Sequence, residues 1–169
     1  MIYIISLRGV TMRTKNIKFL KFVIIMLGII FTFLALYVLP LYANSMAAHY
    51  PEYAYLKNPL LFGIILTLLP LLISFFQAYR LLNLIEQNNV FSARSTNALK
   101  QIKRCALAII ILYMIGMIFL LIEDTLHPSL LLAGLSICLM TTVISMFASI
   151  LKELLTYAIS YKNENDLTI

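Results

Sequence analysis

No aspartate, glutamate, lysine, arginine or histidine occurs in residues 22–42, 58–79, 105–122 or 130–151. Intramembrane carboxylates and bases carry the protons, counter-ions and substrate charges of coupled transport. Their absence argues against a pump, an ion-coupled exporter or an intramembrane protease. Also missing are a nucleophile beside a base, a metal-ligand spacing and a glycine-rich phosphate loop. No enzyme and no cofactor is expected. Cysteine is scarce, and its two copies are poorly placed for each other. Cys105 opens the third apolar run, whereas Cys138 lies about 13 residues, or roughly 20 Å of helix, from the inner end of the fourth. That separation argues against a disulfide.

What remains is apolar. Hydrophobic residues make up 62% of the 169 and charged residues only 12%, with a mean hydropathy of +0.96, outside the range of soluble domains. A helix rising about 1.5 Å per residue crosses a hydrocarbon core of about 30 Å in roughly 20 residues. The pattern predicts an all-α, integral membrane four-helix bundle, one transmembrane domain over residues 1–169, with the lipid bilayer as its solvent. Spans are expected at about 20–42, 59–80, 105–122 and 129–151, with a helical hairpin at about 81–104.

Basic residues set the orientation. Twelve of the 13 Lys and Arg lie before the first span, between the second and third, or after the fourth, and only Lys57 falls elsewhere. The positive-inside rule therefore puts both termini and the hairpin in the cytoplasm, with the chain multi-pass in the plasma membrane. The net charge of +6 reads as topogenic, so no direct nucleic-acid binding is expected. From Met12, "MRTKNIKFLKFVII" has the form of an uncleaved signal anchor, and Met12 competes with Met1 as the start.

Beyond the membrane, Tyr50, Tyr53 and Tyr55 suit an interface where ring and hydroxyl are both satisfied. Pro128 fits the first turn of the fourth helix. His49, Glu52, Glu123, Asp124 and His127 contain ligand types for zinc, but no pair has a recognisable ligand spacing. Within the spans, small residues recur at helical steps: Gly28, Thr32 and Ala35; Gly63, Thr67, Pro70 and Ser74; Gly134, Cys138, Thr141, Ser145 and Ala148. Small faces allow close helix approach, so these stripes are expected at helix contacts rather than along a polar pathway. Pro70 removes the hydrogen bond to the Leu66 carbonyl and predicts a kink.

The segment "NNVFSARSTNALKQIKRC" is the exception, polar and basic between two apolar runs. The second helix should stop at Asn88 and Asn89, and Ser92 should cap the next. At 100° per residue, Arg94, Asn97, Lys100, Gln101 and Arg104 share one face, while Ala98, Leu99, Ile102 and Ala106 share the other. A collar on anionic lipid headgroups accounts for the charge. A cytoplasmic docking surface accounts also for the cap and the length of the amphipathic helix.

"NNVFSARSTNALKQIKRCA", with "YPEYAYLKNPLL" and the ending "KNENDLTI", resembles a bacterial family of small four-span membrane proteins, a domain of unknown function numbered 2975. The likeness runs from Met12 over nearly the whole chain. Members are often encoded beside a small Cro/C1-type helix-turn-helix regulator, and the family brings no catalytic residues. The resemblance implies a non-enzymatic membrane protein that sequesters or regulates that DNA-binding partner, with the C-terminal tail as a second contact. The alternative is a small homo-oligomer transporting or exporting a neutral or apolar substrate.

Overall fold

The computed structural model describes residues 2–87 and 89–166, with side chains over 15–87 and 89–161. Every element is helical: α1 (Ile2–Phe33), a π turn (Leu34–Val38), α2 (Leu39–His49), a 3-10 turn (Pro51–Leu56), α3 (Lys57–Glu86), α4 (Ala93–Ile122) and α5 (Pro128–Asp166). Among the described residues, four helical stretches are long and apolar enough to cross a membrane: Lys15–His49, Pro51–Glu86, Ala93–Ile122 and Pro128–Tyr161. The expected all-α four-span architecture is therefore present.

The first span is longer and less uniform than its hydropathy suggests. Leu39 donates its N–H to the Leu34 carbonyl five residues back. This widened turn lies directly before Pro40, whose ring would crowd the preceding turn of a regular α-helix. The helix then continues to His49 instead of ending near Tyr42, helped by Ala43, Met46, Ala47 and Ala48, all good helix formers. At Pro70, by contrast, α3 remains one continuous α-helix. Pro128 opens α5 as expected.

Packing follows chain order. α1 lies against α3, α3 against α4, and α4 against α5, with no close backbone approach between α1 and α5 or between α3 and α5 among the described residues. Apolar side chains elsewhere face outward. Phe22, Ile29, Phe62, Phe76, Ile122, Leu132 and Met140 are all well exposed, as lipid contact requires of a helix that has satisfied its own backbone. The buried core is instead concentrated at one end, around Leu82, Leu84, Ser95, Ala98, Leu99, Ile102, Cys105, Ala106, Ser145 and Ala148.

The small stripes are unequal. In α5, Gly134, Thr141, Ser145 and Ala148 are buried and Cys138 is half-buried. A Cβ placed on Gly134 would lie 2.8 Å from Met117 Sδ, so α4 and α5 approach closely there. Thr141 returns its hydroxyl to the Ile137 carbonyl at 2.7 Å, which satisfies the donor within its own helix. In α3, Thr67 does the same to Ile64 at 2.7 Å, and Ser74 is half-buried. Gly63 departs from the expectation: a Cβ there meets nothing within 4 Å, so it marks no close approach within the chain.

Candidate functional site: the basic hairpin

The hairpin between α3 and α4 is built by two helix ends that satisfy their own backbone. At the end of α3, Gln87 donates to the Asn83 carbonyl at 3.1 Å and Asn89 to the Leu84 carbonyl at 2.9 Å. The second bond spans six residues and is the closing bond of a Schellman-type stop. Ser92 then takes the extended N-cap conformation, with φ −138° and ψ 153°. It makes no side-chain capping bond to the helix. Its hydroxyl donates instead to the Asn89 carbonyl at 3.0 Å, so the side chain closes the turn and does not cap α4 as expected.

Ser95 is the residue that sequence reasoning missed. It is the most buried side chain among the described residues, at 0% exposure, with its hydroxyl 3.4 Å from that of Ser92. Its signal was one of spacing. Ser95 lies three and four residues before Ala98 and Leu99, on the stripe that continues through Ile102 and Ala106. All of these are buried, whereas Arg94, Asn97, Lys100, Gln101 and Arg104 are all exposed. The first turns of α4 are therefore amphipathic about the axis that the sequence indicates.

Neighbouring charges are sorted between this surface and the interior. Lys103 is half-buried and turns across to α5, donating from Nζ to the Ser149 hydroxyl at 3.1 Å. Lys21, on α1, pairs with Glu86, on α3. The hydrogen bond from Lys21 holds the Glu86 carboxyl below the usual carboxylate range, against the opposing effect of desolvation. Lys21 also lies 5.6 Å from the Tyr79 ring centroid, within cation–π range. With Glu86 engaged, the exposed face of α4 carries three cations and no carboxylate. The side chains of the C-terminal tail from 162 onward lie outside the described residues.

At the other end of the molecule Tyr55 donates to the Glu123 carboxylate at 2.8 Å, tying the 3-10 turn to the α4–α5 loop. This bond raises the Tyr55 pKa. No three His, Cys, Asp or Glu side chains among the described residues gather as a metal site would need. His49 contacts the Ser45 carbonyl and His127 the Ser129 hydroxyl.

Residues 41–169 match the family model described as protein of unknown function (DUF2975), a span that begins later than Met12. An uncharacterized membrane protein of Bacillus subtilis (strain 168), YoaS, is 38% identical over 160 residues, covering 94% of this chain and all of the relative. No solved structure matches. The four apolar helices and this relative together describe a multi-pass membrane protein. The chain belongs to the DUF2975 family.

Proposed function

We propose that the basic end of the bundle faces the cytoplasm and that the outer face of α4 docks a small soluble DNA-binding regulator, holding it at the membrane without enzymatic action. One observation carries this reading. Arg94, Asn97, Lys100, Gln101 and Arg104 are all exposed on a helix whose opposite face, Ser95, Ala98, Leu99, Ile102 and Ala106, is buried. A collar for lipid headgroups requires positive charge near the surface but no fixed geometry. A partner surface gains from side chains held on a rigid, buried support, because less freedom is lost on association. Three cations with two amide side chains between them suit an acidic patch with hydrogen-bonding groups. The helix-turn-helix class of the partner comes from the family resemblance, and the 12-to-1 division of basic residues supports the orientation.

The test is affinity purification of the full chain from membranes, with identification of what accompanies it. Recovery of a small helix-turn-helix protein, lost when Arg94 and Lys100 are replaced by glutamine, is expected. Recovery of an ATPase instead would move the reading to export.

A further inference from the structure

Two cavities line the opening left between the first and last helices. One, of about 680 Å³, lies among α2, the 3-10 turn, the start of α3 and the α4–α5 loop. The second, of about 590 Å³, extends deeper between α1, α3, α4 and α5. Both are bordered by Leu39, Tyr42 and Ile64, so they adjoin, and together they make up a cleft. Its walls are apolar at depth, and its mouth carries Lys57, Asp124 and His127.

Lys57 is out of place by charge. It is the single Lys or Arg at this end of the molecule, against the positive-inside rule. It follows the 3-10 turn directly at the start of α3. Glu52, Glu123 and Asp124 belong to the same end, yet the one ion pair among the described residues is Lys21–Glu86, at the opposite end. Glu123 accepts from Tyr55. Asp124 holds a left-handed backbone with φ 55°, at the position where Thr125 N–H closes α4 on the Leu120 carbonyl at 3.1 Å. This conformation is more accessible to Asp than to most residues, and it fixes a carboxylate at the mouth. The cleft is thus an apolar slot with one cation and one anion at its entrance.

The dimensions indicate the occupant. Lys57 lines the mouth and Leu71 the depth. They are 14 residues apart on α3, or about 21 Å of helix. One leaflet with its headgroup layer measures roughly 20–22 Å, half of a bilayer of about 40–45 Å. We propose that the cleft is a binding site for one zwitterionic phospholipid of the adjacent leaflet, its phosphate on Lys57, its ammonium on Asp124 and an acyl chain along the slot. The site is independent of the docking face on α4.

The experiment is native mass spectrometry of the purified full chain in detergent, with phosphatidylethanolamine or phosphatidylglycerol of equal acyl length added. One phosphatidylethanolamine per chain should be retained in preference to phosphatidylglycerol. Lys57→Ala and Asp124→Asn should each reduce retention about tenfold, the scale of one lost charge-assisted hydrogen bond. Asparagine tolerates the same backbone, so unchanged thermal unfolding of Asp124→Asn separates lost binding from lost folding. Ala47→Trp, which obstructs the mouth, should abolish retention. Equal retention of both lipids, or variants that bind like the parent, would reduce the cleft to ordinary lipid contact. A lipid-free dimer would show that a second copy fills it.

Discussion

Replacing Gly134 and Gly63 by leucine should have unequal consequences. A Cβ on Gly134 would sit 2.8 Å from Met117 Sδ and 3.2 Å from its Cγ, where carbon atoms rest at about 3.5–4.0 Å. Methionine has three rotatable bonds and yields readily. Alanine at 134 should therefore be nearly neutral, its crowding offset by the gain of about 1 kcal/mol in helix propensity over glycine. Leucine adds three more carbons to a buried contact, and such overpacking costs about 1–3 kcal/mol. At roughly 2–4 °C per kcal/mol for a chain of this size, Gly134→Leu should lower Tm in detergent by about 2–12 °C. Gly63→Leu projects into open space and should shift stability by no more than about 0.5 kcal/mol. Met117→Ala should relieve much of the Gly134→Leu loss when the two are combined. Equal Tm losses at the two glycines, or no relief from Met117→Ala, would refute a close approach at Gly134.

Three further outcomes are expected. In a background lacking Cys105 and Cys138, cysteines at Ser45 and Ser129 should react with an impermeant reagent in intact cells while one at Asn97 stays protected; the reverse pattern inverts the topology. The lowered Glu86 pKa means that its contribution to stability is complete above the ordinary value of 4.5 and is lost as pH falls through the folded value. Scans between about pH 6 and pH 3 should accordingly show a steeper fall in Tm for the parent than for Glu86→Gln, and parallel curves would remove the Lys21 pair from the account. Moving two charges to the turn, by Gln87→Lys and Asn89→Arg with Arg94→Gln and Lys100→Gln, keeps the loop charge and should preserve insertion while abolishing partner recovery. Retained recovery would return the segment to the role of a collar.

The redistribution must avoid Ala98 and Ala106, at 2% and 4% exposure, because a cation there would test folding instead of docking. That constraint also shows what the sequence could convey. The two faces of α4 were legible because period and polarity agree over Arg94 to Ala106, and the four spans because uncharged runs of that length have few other uses. The wide turn before Pro40 was not, since a proline signals a local conflict without stating whether the helix kinks, widens or absorbs it. Pro70 lies in an unbroken helix and Pro40 follows a π turn. Ser92 took the cap position but used its hydroxyl elsewhere, a choice between two acceptable partners that composition cannot decide. Gly63 and Gly134 look alike in sequence and differ only in what faces them across the bundle.

Site-specific photo-crosslinking tests the docking face most directly. A photoreactive residue replacing Gln101 lies on the exposed basic surface, and one replacing Phe62 lies on a lipid-facing surface. On irradiation of intact cells, Gln101 should give a discrete adduct containing a small helix-turn-helix protein, and Phe62 should give none. Adducts at Gln101 confined to lipid, or a protein adduct equally strong at Phe62, would contradict the proposal that α4 holds a regulator at the membrane.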